Sequence, residues 1–177
     1  YAHFEHMTKK NDLPILLYNV PARTVTDIKP ETVARLAQLP TVIGIKDASG
    51  DMPRVTDHRL ACGPDFCLLS GVDEQSLAFN AAGGRGCISV TANVAPKLCA
   101  EFQAACASGD YDLARDLNDK LYPLHLALFS DASPGPIKYA LSRVIEGFPT
   151  ELRLPMTPPS EASRRQVDAA LENAGLI

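Results

Sequence analysis

Short apolar runs alternate with longer amphipathic segments along the first part of the chain. Four runs have the length and composition of buried strands, at residues 13–18, 41–46, 66–69 and 87–90. Helices are predicted at 31–39, from the turn at 49–51 to Cys62, after residues 70–73 as far as Ala82, and at 94–107 with Asn93 as N-cap. These strand–loop–helix units predict a parallel sheet with right-handed crossovers, either doubly wound or part of a (β/α)8 barrel.

The remainder of the chain has the pattern of helices alone. Asp110 is the predicted N-cap of a helix with an apolar stripe, and two further helices are predicted at 136–146 and 160–174. The stripe consists of Leu113, Leu117, Leu121, Leu124 and Leu128. The connections are short and polar, so one compact unit is expected.

Composition and charge exclude several classes of protein. The chain has 177 residues, 46% hydrophobic content and a net charge of −4, without a run of lysine or arginine that would bind nucleic acid. No apolar stretch reaches the roughly 20 residues that span a bilayer, and the start lacks the pattern of a signal peptide, so a cytoplasmic protein is expected. Five cysteines without a CxxC pair indicate neither a disulfide framework nor a zinc site.

Lys46 ends a strand that otherwise consists of apolar residues and glycine, where an unpaired charge would be costly to bury. Strand alternation puts Val42 and Gly44 on the same face as Lys46, and Gly44 is expected to leave room beside the amine. A desolvated lysine amine is a nucleophile for a carbonyl substrate. The alternative is a lysine at a strand end that extends into solvent.

Tyr18 lies at the corresponding end of the first strand. In parallel α/β folds, the carboxyl ends of the strands form the edge where catalysis takes place. A phenol beside a lysine amine there could relay protons to and from a carbinolamine or enamine. The alternative is a tyrosine at the edge of the core whose hydroxyl is hydrogen-bonded.

The two strand ends resemble a known active-site signature. Residues 18–24 (YNVPART) and 42–48 (VIGIKDA) are similar to that of the dihydrodipicolinate synthase and N-acetylneuraminate lyase family. The similarity continues through 69–73, 83–93 and 152–158, and therefore covers essentially the whole chain. The resemblance implies that Lys46 forms a Schiff base with pyruvate, that Tyr18 relays protons, and that Gly71 and Ile88 line the pyruvate pocket. Taken alone, Gly71 is a turn glycine and Ile88 a core isoleucine.

Arg23 discriminates between members of the family. The resemblance implies that its guanidinium binds the carboxylate of aspartate semialdehyde, as in the synthase members. The implied reaction condenses pyruvate with aspartate 4-semialdehyde to 4-hydroxy-tetrahydrodipicolinate in lysine and diaminopimelate biosynthesis. The alternative for Arg23 is a surface arginine paired with Asp27 or Asp51. The alternatives for the protein are a pyruvate-dependent sugar-acid aldolase or dehydratase of the same family, and a half-barrel without activity that binds a partner.

The resemblance also implies a fold and an assembly. It makes residues 1–107 the second half of a (β/α)8 barrel, strands 5 to 8, and residues 108–177 a C-terminal extension of three helices. A complete barrel needs about 250 residues, so the chain is interpreted as the C-terminal part of a longer protein. The absent half would carry a Gly-Thr-Thr-Gly-Glu loop that binds pyruvate, and without it full activity is not expected. A homotetramer is implied, and neither a metal nor an organic cofactor.

Overall fold

The computed structural model describes all 177 residues, Tyr1–Ile177. It divides into two compact units, Tyr1–Ile88 and Ser89–Ile177, where one unit was expected. The division also differs from the predicted one at 107/108, because the helix Pro96–Ser108 belongs to the second unit. The assignment of residues 1–107 to one half of a barrel stays a prediction.

The first unit contains a parallel sheet of three strands in the order β1-β2-β3. The strands are β1 (Ile15–Asn19), β2 (Val42–Asp47) and β3 (Cys67–Ser70). The helices are α1 (Ala2–Thr8), α2 (Pro21–Thr24), α3 (Pro30–Leu36), α4 (Pro53–Cys62) and α5 (Ser76–Ala81), with a 3-10 turn at Asp73–Gln75. This confirms the alternation of strands and helices, and the parallel pairing brings the carboxyl ends of the three strands to one edge.

The prediction of a fourth strand at 87–90 is wrong. Only Cys87 pairs, in a single bridge to Ser70. Ser70 N–H donates to Gly86 O at 2.8 Å and Ile88 N–H donates to Ser70 O at 2.9 Å. β3 ends at Ser70, so the apolar run finds no further length of this strand to pair with.

A β-bulge changes the predicted faces of β2. Ile15 pairs with Val42 and Leu16 with Gly44, so Ile43 has no partner in β1. Val42 is buried, whereas Ile43 is 44% exposed. The prediction that Val42 shares the face of Lys46 is therefore wrong, although two-residue alternation still relates Gly44 to Lys46.

The core of the first unit lies on the face of the sheet opposite Tyr18 and Lys46. Its largest fully buried apolar side chains come from two strands and one helix: Leu17, Ile45, Val33 and Leu36. Burying each such side chain stabilises the fold by roughly 1.5–3 kcal/mol. This layer holds the strands in place while their opposite face carries Tyr18 and Lys46.

The second unit consists of helices: a 3-10 turn at Thr91–Asn93, α6 (Pro96–Ser108), α7 (Tyr111–Ala127), α8 (Gly135–Val144) and α9 (Glu161–Ala174). Helix α7 packs against α6 and α9, and α9 also packs against α8. None of the helices of the protein combines the length and the apolar character needed to cross a bilayer.

Of the two predicted helix caps, one is confirmed and the other is wrong. Asp110 caps α7 as predicted, accepting from Leu113 N–H at 3.0 Å. Asn93 does not cap α6; Ala95 is the N-cap, and the Asn93 amide donates to Val90 O at 2.9 Å. The leucine stripe of α7 is buried in its second half, at Leu121, Leu124 and Leu128, and half-exposed at Leu113.

Candidate active site

Lys46 and Tyr18 lie side by side at the carboxyl edge of the sheet. The parallel register pairs these two residues directly across β1 and β2. The Nζ atom of Lys46 is 4.2 Å from the centroid of the Tyr18 ring. Lys46 is half-buried and Tyr18 is 47% exposed, so an ammonium over this ring gains about 0.5–1 kcal/mol. The structure thus places the predicted amine and the predicted phenol in contact.

Gly71 provides the space beside Lys46. A Cβ atom added at Gly71 would lie 3.0 Å from Cε of Lys46 and 2.7 Å from Cβ of Ala48. At Gly44, by contrast, an added Cβ would lie 2.3 Å from the carbonyl oxygen of Cys67 and 2.7 Å from Cδ2 of Leu16. The nearest atoms to Gly44 thus belong to Cys67 and Leu16, and the prediction that Gly44 leaves room beside the amine stays a prediction. Gly44 allows the three strands to approach, and Gly71 leaves room for the lysine.

Ile88 lies next to the third strand end. Its N–H bonds to the carbonyl of Ser70, the residue before Gly71, and its side chain is half-exposed. Ile88 is therefore not the core isoleucine that its apolar run alone suggested. Tyr18, Lys46, Gly71 and Ile88 thus come from successive segments that are hydrogen-bonded at one edge of the sheet.

Arg23 lies on α2, a helix of four residues that directly follows the end of β1. Its side chain is exposed and forms no ion pair in the structure. The alternative in which Arg23 pairs with Asp27 or Asp51 is wrong, because both carboxylates bind Arg54 instead. The Arg23 guanidinium is consequently available to an anion from solution.

A polar cluster behind the strand ends holds the segment that carries Arg23. Nη1 and Nη2 of Arg54 donate to the two carboxylate oxygens of Asp27, at 2.7 and 2.6 Å. These hydrogen bonds hold the pKa of Asp27 well below its ordinary range, and they raise that of Arg54. The side chain of Asn19 donates to the same carboxylate at 3.0 Å. Sequence reasoning missed this cluster, since Asp27 and Arg54 are far apart in the chain and lie in no shared motif.

A second buried pair stands directly behind Lys46. Asp47 follows Lys46 on the opposite face, and its Oδ1 accepts from Ser49 N–H at 2.7 Å. Its Oδ2 lies 3.5 Å from Nε2 of His58, and both side chains are buried. Burial raises the pKa of Asp47, but the nearby His58 and the hydrogen bond from Ser49 outweigh it, and the net shift is downward. The only sequence signal for this pair was an acidic residue on the core face of an apolar strand.

Cys87 is the other nucleophile type close to this edge. Burial, with a smaller contribution from the charge of Asp73, raises the pKa of its thiol to about 12. The thiol is therefore protonated at neutral pH and a poor nucleophile. Among these groups, the chemistry of the site favours the amine of Lys46.

The model of the dihydrodipicolinate synthetase family matches residues 1–174. The chain belongs to the dihydrodipicolinate synthetase family. Family membership confirms the resemblance that the signatures around Tyr18 and Lys46 indicated.

Similar proteins come from several bacteria. The chain is 66% identical over 178 residues to the 4-hydroxy-tetrahydrodipicolinate synthase of Novosphingobium aromaticivorans, covering 99% of the chain and 60% of that protein. It is 60% identical over 177 residues to the synthase of Zymomonas mobilis, covering 100% of the chain and 61% of that protein. The chain thus spans about 60% of the length of these relatives.

Solved structures of the family have the same fold over this span. The dihydrodipicolinate synthase of Thermotoga maritima matches with a TM-score of 0.94 and 39% identity, over 100% of this chain and 61% of that one. A monomeric dihydrodipicolinate synthase variant matches with a TM-score of 0.95 and 38% identity, over 100% and 60%. The coverage confirms that the chain corresponds to part of a family member. It does not confirm that this part is C-terminal, nor that its strands are strands 5 to 8.

Proposed function

We propose that the protein is a 4-hydroxy-tetrahydrodipicolinate synthase, a lyase of lysine and diaminopimelate biosynthesis that condenses pyruvate with aspartate 4-semialdehyde. The observation that carries the proposal is the contact of Lys46 with Tyr18 at a strand edge, with space left by Gly71. Relatives at 60% and 66% identity that bear this name support it. The three-stranded sheet is then part of a (β/α)8 barrel.

The first half of the reaction forms an imine. The neutral amine of Lys46 attacks the ketone carbon of pyruvate, and the carbinolamine loses water to give the Schiff base. Loss of a methyl proton then yields the enamine, which is the carbon nucleophile. Tyr18, whose ring lies against the amine, moves protons in these steps. The backbone at Gly71 and the side chain of Ile88 line the pyruvate site.

The second half uses Arg23. The enamine carbon adds to the aldehyde carbon of aspartate semialdehyde, and the aldehyde oxygen becomes the hydroxyl group of the product. Arg23 binds the carboxylate of this substrate through its exposed guanidinium, in the bidentate geometry that arginine favours. The substrate's own amine attacks the imine carbon, closes the ring and releases Lys46. The imine itself acts as the electron sink, so the reaction requires neither a metal nor an organic cofactor.

The open face of the sheet bears on the assembly. Leu16, Tyr18 and Ile43 are each more than two-fifths exposed on the first unit, and Ile88 is similarly exposed. Apolar side chains gathered on one face are expected to be covered in a stable protein. The rest of the barrel would cover them in a full-length enzyme, which we expect to be a cytoplasmic homo-oligomer, a homotetramer by family resemblance.

Trapping of the imine tests the proposed function. Full-length protein treated with pyruvate and borohydride should gain the mass of one reduced pyruvate on the peptide that contains Lys46. Lys97→Arg, a change at a solvent-exposed lysine, serves as the matched control and should be labelled equally. A wild-type protein that takes no label would overturn the Schiff-base proposal.

Choice of the second substrate separates the synthase from its rivals. A sugar-acid aldolase or dehydratase would form the same imine but would act on a longer polyol. A strongly raised KM for aspartate semialdehyde in Arg23→Ala, with imine trapping retained, supports the synthase. Turnover of a sugar acid with unchanged kinetics in Arg23→Ala would favour the rival.

A further inference from the structure

The segment that carries Arg23 has little structure of its own. Helix α2 is four residues long, and its C-cap, Val25, has a left-handed φ of +56° and is 94% exposed. None of the side chains of α2 is buried. A guanidinium on so short and exposed a helix would sample many positions unless the flanking residues are held.

Asn19 closes this segment against the end of β1. It is 1% exposed, on the face of the strand opposite Tyr18. Its Nδ2 donates to Oδ1 of Asp27 at 3.0 Å, and its Oδ1 accepts from Ile28 N–H at 3.0 Å. One buried amide thereby joins the strand end to the residues that follow Arg23.

Arg54 fixes the same residues from α4. Besides its bidentate pair with Asp27, its Nη1 lies 3.4 Å from the carbonyl oxygen of Ile28, and its Nε donates to Asp51 at 3.3 Å. Arg54 is 8% exposed, and a buried guanidinium without its partner would leave an uncompensated charge. The planar guanidinium can hold the carboxylate at two points, which a lysine cannot.

We propose that Arg54 is a positioning residue for the second substrate: through Asp27 and Asn19 it fixes the segment that carries Arg23, and so sets where the substrate carboxylate binds. The inference rests on the proposed function, which it deepens. Arg54 forms no hydrogen bond to Tyr18 or Lys46. Its effect on catalysis therefore falls on the aldehyde substrate and leaves the formation of the imine largely intact.

The first arm of the test separates the two substrates. In full-length protein, Arg54→Lys keeps the positive charge but loses the bidentate geometry. We expect KM for aspartate semialdehyde to rise about tenfold, while KM for pyruvate and imine trapping at Lys46 change less than about twofold. Asp27→Asn, which weakens the same pair from the other side, should give the same pattern. Arg143→Lys, in the second unit, disturbs an arginine–carboxylate pair with Asp168 and should leave both KM values unchanged.

The second arm asks whether Arg54 acts through Arg23. If it does, Arg54→Lys should raise KM for the semialdehyde less than about twofold in the Arg23→Ala background, because coupled residues are non-additive. A full tenfold rise in that background, or an equal rise for pyruvate, would overturn the positioning role. Wild-type protein that takes no borohydride label refutes the proposed function, whereas labelled wild type with an unaltered semialdehyde KM in Arg54→Lys refutes only this inference.

Discussion

The two faces of the strand ends in the first unit differ in how their side chains are held. On the front, Lys46 and Tyr18 contact each other, are only partly buried, and lie beside a glycine. On the back, Asn19 and Arg54 are almost fully buried and make hydrogen bonds at fixed donors and acceptors. We propose that the residues on the front carry out the reaction, and that the residues on the back hold the surrounding backbone in position.

The difference has a physical reason. A nucleophilic amine has to be reached by substrate and has to change its bonding during the reaction, so strong permanent partners would hinder it. A buried arginine–carboxylate pair has the opposite requirement, since it is stabilising only while both partners are present. The strand ladder holds the ends of β1 and β2 together, because Ala48 N–H donates to the carbonyl of Asn19 at 2.8 Å. Changes on the front should therefore affect turnover, and changes on the back mainly stability and binding.

The largest effect is expected from removing the amine on the front. Lys46→Arg keeps a charge over the Tyr18 ring but cannot form an imine with pyruvate. We expect turnover to fall by at least about a thousandfold, with loss of the borohydride-trapped mass and little change in unfolding free energy. Steady-state kinetics and mass spectrometry of the variant, with Lys97→Arg as control, measure this. Retained label in Lys46→Arg would place the nucleophile elsewhere.

The next effect is on stability, from the back. Asp27→Asn leaves Arg54 buried without a full counter-charge, and we expect a loss of about 3 kcal/mol in the free energy of unfolding at pH 7. Because Arg54 depresses the pKa of Asp27 from its ordinary 3.8, the wild type should lose this stabilisation as pH falls from about 4. Denaturant titrations of both proteins should therefore converge at acid pH.

The matched control for Asp27 is a carboxylate in a more exposed ion pair. Asp168→Asn removes the partner of Arg143 in the second unit, and such pairs contribute about 0–1 kcal/mol. A loss as large for Asp168→Asn as for Asp27→Asn would contradict the special role assigned to the buried pair. A difference between wild type and Asp27→Asn that does not shrink at low pH would contradict its electrostatic origin.

The positions of Tyr18 and Lys46 on the front were predictable from the sequence, because they follow from the local pattern of apolar residues in each strand. Tyr18 and Lys46 each end an apolar run, and parallel strands bring such ends together. The family signature added roles that spacing alone does not supply. Gly71 was assigned to the pocket by resemblance, but only the structure shows that a side chain at Gly71 would crowd Lys46.

The back was not predictable, because its contacts join distant and unpatterned residues. Asp27 lies in a loop and Arg54 in the first turn of α4, and no periodicity links them. The bulge at Ile43 and the loss of the fourth strand depend on the register and length of the neighbouring strand. These are tertiary effects that override local propensity.

A moderate effect on the front is expected from filling the space at Gly71. In Gly71→Ala the new methyl group would lie 3.0 Å from Cε of Lys46, and the lysine would have to move. We expect imine formation to slow about tenfold, measured by the rate of borohydride-trapped label. Gly135→Ala is the control, because its nearest contacts are ordinary at 3.5 Å. Equal rates in Gly71→Ala and wild type would show that Gly71 does not shape the site.

The smallest effect concerns Val25, the C-cap of the short helix that carries Arg23. A β-branched residue with a left-handed φ of +56° is strained. The side chain of Val25 is exposed, so burial of apolar surface does not offset this strain. Val25→Asn, which tolerates this conformation, should raise the free energy of unfolding by about 0.5–1 kcal/mol, measured by chemical denaturation. Because Asn19 and Arg54 hold the segment from the back, KM for aspartate semialdehyde should stay the same. A change in KM without a gain in stability would mean that the conformation of Val25, rather than the buried cluster, determines where Arg23 lies.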